Sequence, residues 1–155
     1  MTTTKVVAWQ TLAAQANNKW NNGSLKGKRY SEFIKALPKA EKDAVVLEDL
    51  LAQVVNGGFW QWIVNGYCVS IADVIEVLKR IRQPASIKLL LMLVQVEPYL
   101  QKNSEKGDSF EKLVASNIVN ENHPFWDKLD KFSYQFHDLR DTWEQEVEAY
   151  LAAQV

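Results

Sequence analysis

The 155-residue chain is poor in the groups that catalytic and metal-binding proteins gather: it has one cysteine, two histidines, four prolines and six glycines. The lone thiol, Cys68, excludes an intramolecular disulfide and suits a reducing compartment, which makes the cytoplasm the expected location. His123 and His137 stand far from Cys68 in the sequence, so no converging ligand set is read and no metal is assigned. Neither sign of charge dominates: 18 Lys and Arg face 19 Asp and Glu, for a formal net charge of −1. A DNA-binding domain usually displaces counterions with a basic surplus, so direct nucleic-acid binding is not expected. The longest apolar run, Leu89 to Val94, is far below the roughly 20 residues that cross a bilayer. Met1 to Val7 has neither the apolar core nor the small-residue cleavage site of a secretion signal, so neither a leader nor a membrane span is expected. Phosphate-binding GxxxxGK[ST] and dinucleotide-binding GxGxxG runs are both missing, and no cofactor is assigned.

What is present is an ordinary globular balance, 47% hydrophobic and 24% charged, in a length that suits one domain with one core. Val6, Trp9, Leu12, Ala13 and Ala16 recur at helical spacing from Lys5 to about Trp20. Asn21 to Ser24 breaks that helix. The following Lys26-Gly27-Lys28-Arg29 reads as a solvated basic loop, with a phosphate contact as the alternative. Ser31 is placed to cap a short helix ending before Pro38. Leu47, Leu50, Leu51 and Val54 define a core helix, and Ser70 is placed to cap another through Ile81, whose last turn collects Lys79, Arg80 and Arg82. Ile87 to Val96 is apolar nearly all round and is expected to be the central helix. The final third offers Phe125, Trp126, Leu129, Phe132 and Phe136, and then a helix from about Asp138. No strand-length alternation or internal repeat occurs, so the fold class is all-α, with seven or eight short helices in a single domain: residues 1–37 as an N-terminal helix and basic loop, 40–152 as the core.

Two stretches stand out as candidate sites. At Asn56-Gly57-Gly58-Phe59-Trp60-Gln61, followed by Asn65-Gly66, two apolar helical segments meet at a glycine joint. Gln61 and Asn65, spaced i, i+4, read as buried amides that satisfy the bend, with a small-ligand pocket of Asn56, Trp60, Gln61 and Asn65 as the other possibility. On the last helix Asp138, Asp141, Glu144 and Glu148, extended by Glu146, form an acidic ridge opposite the apolar side, read as a solvated helix face with a partner-binding surface as the alternative. Asp130, Ser133 and His137 lie in one helical neighbourhood with no nucleophile elbow or oxyanion-hole signal, so no catalytic residue is assigned and an enzyme is the less favoured reading.

Asn56-Gly57-Gly58-Phe59-Trp60-Gln61-Trp62 with Asn65 resembles the Asn-Gly-Gly-Phe-x-Gln-aromatic signature of a bacterial all-helical family that includes a DNA-mimic protein. Leu129-Asp130, Tyr134, Asp138-Leu139 and Tyr150 resemble that family's closing segment. Most of the family has no assigned function. The resemblance implies a non-enzymatic regulatory protein that binds another protein and can pair with itself. A net charge of −1 is far from the carboxylate surplus that imitation of a DNA backbone requires. An immunity or antitoxin-like role carries the same expectations.

Overall fold

These periodicities become seven α-helices in the computed structural model, which describes residues 7–155. They are α1 (Val7–Asn21), α2 (Tyr30–Ala36), α3 (Lys39–Val64), α4 (Ile71–Ile81), α5 (Pro84–Val96), α6 (Phe110–Leu113) and α7 (Pro124–Ala152). Single 3₁₀ turns lie at Tyr67–Ser70, Glu97–Tyr99 and Ser116–Ile118. Val6, expected on the first helical face, and the stretch read for a leader lie in or run into residues 1–6, outside the described ones.

The all-α expectation holds, but the helices are not all short: α3 runs 26 residues across its joint and α7 runs 29. Phe125, Leu129, Phe132, Phe136, Trp143, Val147 and Leu151 are all buried at steps of three, four or seven, so one apolar stripe continues from Pro124 and nothing breaks the helix near Asp138. Pro124 sits at its first position, where its missing N–H is no loss, and His123 Nδ1 accepts from the Phe125 amide at 3.1 Å.

The centre of the core is α3, not α5. α1 and α7 pack along α3, which buries Ala44 through Leu47, Leu50, Val54, Phe59, Trp62 and Ile63. α5 is flanked by α4 and α7 alone among the helices it packs closely against, so it buries Leu89, Leu93 and Val96 and leaves Ile87, Leu91 and Val94 exposed on its outer side. Apolar residues all round a helix were too crude a sign of centrality, because the neighbouring helices cover only part of its circumference.

Several helix ends are closed by distant side chains rather than by the expected local caps. Ser31 donates its amide and hydroxyl to Glu105, and Ser70 donates its hydroxyl to the Tyr67 carbonyl at 2.8 Å. Two carboxylates on the last turns of α7 hold two other helix starts. Glu146 accepts from the amides of Ala85 and Ser86 at 3.0 and 2.8 Å, and from the Ser86 hydroxyl, at the start of α5. Glu148 accepts from the amides of Ala8 and Trp9 at 2.7 and 2.9 Å at the start of α1. Both place negative charge at the positive end of a helix dipole.

The cations at the end of α4 also have separate tasks. Arg80 reaches buried Asp43 at 2.6 Å and takes its place in a network with Tyr150, whose hydroxyl donates to the other Asp43 oxygen at 3.0 Å. Burial pushes the Asp43 carboxyl above its ordinary range, and the Arg80 guanidinium pulls it back. Arg82 closes the helix in the left-handed region at φ 54, where a Cβ is strained. Arg82→Gly is expected to stabilise the protein by about 0.5–1 kcal/mol in urea unfolding, because glycine enters this conformation freely.

Beside α3, the Tyr30 hydroxyl donates to Asp49 at 2.7 Å, and burial pushes Asp49 up to about 7. The folded state therefore holds a proton that the unfolded carboxyl releases at lower pH. That contribution to stability is complete below the ordinary carboxylate range and is lost as pH rises through about 7. A falling urea midpoint between about pH 5 and pH 8 is expected for the native sequence, and a flatter profile for Asp49→Asn.

Candidate functional site

The glycine joint is a kink within α3. Gly57 has φ −152 and ψ 20, and Gly58 has φ 74 and ψ −177, a combination essentially closed to residues with a Cβ. The break in the helical ladder frees the Phe59 amide, and Ser133 on α7 accepts from it at 3.0 Å while donating to the Leu129 carbonyl at 2.8 Å. The segment after the kink then enters the core: Phe59, Trp62 and Ile63 are fully buried, with Phe59 edge-on to Trp62 and Phe136. Gly66, at φ 82, ends it as the second stop.

The amides do other work than expected. Gln61 is half-buried and Asn65 exposed, and their side-chain amides donate to the same oxygen of Gln53 at 3.1 and 2.7 Å. Ser133, a residue that spacing alone offered only to a triad, is the one that satisfies the bend. Its two hydrogen bonds also commit the hydroxyl that a nucleophile would need, and Asp130 and His137 lie beside it on the same helix.

A cleft of about 360 Å³ opens beside the kink, lined by Asn56, Gly57, Gly58 and Trp60 from α3 and by Asp130, Ser133, Tyr134 and His137 from α7. The candidate pocket residues are thus divided: Asn56 and Trp60 line this cleft, whereas Gln61 and Asn65 are tied to Gln53 outside its lining. Trp60 is 47% exposed and packs against Trp126 and Phe110, with ring centres 4.7 and 5.2 Å away. Tyr134 is 77% exposed.

The acidic ridge is also redrawn. Asp138 and Asp141 are exposed and Glu144 is half-buried, but Glu148 is buried under α1 and Glu146 is held by α5, so neither belongs to a free surface. The exposed acids continue instead toward the start of α7. Asp127, Asp130, Asp138 and Asp141 are all exposed, with Tyr134 among them, and all five fall within about 80 degrees at about 100 degrees per residue. They form one stripe spanning about 21 Å at roughly 1.5 Å per residue, bordered by exposed Lys131. The periodicity from Asp127 was legible, but an assumed helix start at Asp138 hid it.

Burial pushes the Cys68 thiol up to about 12, which keeps it protonated and unreactive at neutral pH. Among the described residues no three His, Cys, Asp or Glu side chains converge as a metal site would require. No described helix is long and apolar enough to cross a membrane.

A family model described as DMP19-like protein matches residues 35–154. The chain belongs to the DMP19-like protein family. The match takes in both the glycine joint and the α7 stripe, while α1 and most of α2 precede it. No curated protein and no solved structure matches the chain.

Proposed function

We propose that this DMP19-like protein is a non-enzymatic regulator that binds a basic surface of another protein through the exposed stripe of α7 and the adjoining cleft at the joint. The observation that carries this reading is the alignment of Asp127, Asp130, Asp138 and Asp141 on one exposed face around Tyr134. Asp130 and Tyr134 belong to both stripe and cleft, and Trp60 borders the cleft from the other side. A cleft that carries a carboxylate and two exposed aromatic residues suits an arginine or lysine side chain, through ion pairing and cation–π attraction. Four acids on one helix steer such a partner without imitating a whole DNA backbone, in keeping with a net charge of −1.

The test is affinity capture from a bacterial lysate at low and at high salt, comparing the native sequence with an Asp127→Asn, Asp130→Asn, Asp138→Asn and Asp141→Asn variant. A partner held by the native protein is expected to be lost from the variant, and to weaken at least about tenfold from low to high salt. A partner retained equally by both proteins at every salt concentration would sink the reading.

A further inference from the structure

Away from α7, the structure assembles an oppositely charged cleft that the proposed regulatory contact does not use. It has a volume of about 780 Å³ and lies between the α1–α2 connection, α2 and the segment at 102–112. Six cations line it: Lys28, Arg29, Lys35, Lys102, Lys106 and Lys112. Only two carboxylates do, Glu105 and Asp108. We propose that this cleft binds a small polyphosphorylated anion, the triphosphate chain being the chemistry it recognises.

The two carboxylates are already committed. Glu105 receives the amide and hydroxyl of Ser31, and Asp108 receives the Glu105 amide at 2.7 Å and pairs with Lys112 at 3.3 Å. The Glu105 amide holds the Asp108 carboxyl below its ordinary range. Arg29 shares its charge with Glu32 at 3.3 Å. Lys28, Lys35 and Lys102 are exposed and make no ion pair with a described residue, so at least three charges remain for a ligand.

The cleft is also held in shape. Gly66 closes the end of α3 so tightly that a Cβ there would stand 3.0 Å from the Lys106 backbone. This contact seats Lys106 with its ammonium 4.8 Å from the centre of the Tyr67 ring. On the other wall the Trp20 indole N–H donates to the Lys28 carbonyl at 2.9 Å, and the Trp20 ring stacks on Phe33 at 4.4 Å. The basic loop thus meets lysines some seventy residues away in sequence. Several ammonium groups around one concavity favour an anion with several charges over one with a single charge. The volume lies in the range of small-molecule sites.

The experiment is calorimetric titration of the full chain at low salt with inorganic tripolyphosphate, orthophosphate, adenosine triphosphate and a single-stranded oligonucleotide. Tripolyphosphate is expected to bind at one per chain, at least about tenfold more tightly than orthophosphate. Lys28→Gln with Lys102→Gln should weaken it by about tenfold or more, while Lys88→Gln on the exposed side of α5 should leave it unchanged. Both changed lysines are exposed, and retained circular dichroism would exclude unfolding as the cause. Adenosine triphosphate that binds more tightly than tripolyphosphate would name a nucleotide as the source of the phosphates; equal binding would name the chain alone. No heat with tripolyphosphate, an equal loss in Lys88→Gln, or tightest binding to the oligonucleotide would each overturn the proposal.

Discussion

Gly58→Ala is expected to destabilise the protein by about 2–4 kcal/mol. Two effects combine. At φ 74 and ψ −177 the backbone occupies a region that only glycine enters without strain. The added Cβ would also stand 2.8 Å from the Ser133 hydroxyl oxygen. That hydroxyl cannot withdraw cheaply, because it accepts from Phe59 and donates to Leu129, and leaving would strand a partly buried amide. Ser133→Ala alone should cost about 1 kcal/mol for the stranded amide. The double variant should then cost less than the sum of the two, since removing the hydroxyl relieves the clash but not the backbone strain. Urea midpoints for the three variants decide it. A Gly58→Ala loss below about 1 kcal/mol would mean that α3 can straighten through the joint, and that the wedge of Phe59, Trp62 and Ile63 does not depend on the kink.

What the sequence revealed and what it hid follow from the range of each interaction. Local signals were legible: Gly58 and Gly66 each hold a positive φ, one at the joint and one at the second stop. Fold class and family signature rest on such signals. The errors concern what a side chain meets across the fold. Ile87, Leu91 and Val94 are as apolar as Leu89 and Leu93, and only the positions of α4 and α7 decide which of them are covered. Glu148 shares its stretch of helix with Asp141 and Glu144, yet α1 lands on it alone. The basic loop looked isolated because Lys102, Lys106 and Lys112 join it only through tertiary contact. Helical wheels place residues on faces; they do not say what the face touches.

The buried position of Glu148 leads to the second large effect, because Glu148→Ala is expected to cost about 2–3 kcal/mol. Its carboxylate oxygens accept separately from the Ala8 and Trp9 amides, so truncation leaves two first-turn donors without partners, one of them fully buried. Trp9 is held in the same region by its indole N–H, which donates to the Ala44 carbonyl at 2.8 Å, and by an edge-on contact with Trp143. Loosening α1 therefore also loosens a tryptophan pair in the core, and the near-ultraviolet circular dichroism should fall with stability. Glu148→Gln keeps one strong acceptor and should cost about half as much. Glu144→Ala, one turn earlier and half-exposed, should stay within about 0.5 kcal/mol of the native protein in urea unfolding. Equal losses at Glu144 and Glu148 would show that water replaces the carboxylate and that α1 is held by packing alone. The contrast bears directly on the regulatory reading, since a charge reversal that included Glu148 would detach α1 and abolish binding for a structural reason. Removing only Asp127, Asp130, Asp138 and Asp141 leaves both glutamate clamps, Glu146 on α5 and Glu148 on α1, in place, and any loss of partner can then be assigned to the exposed stripe.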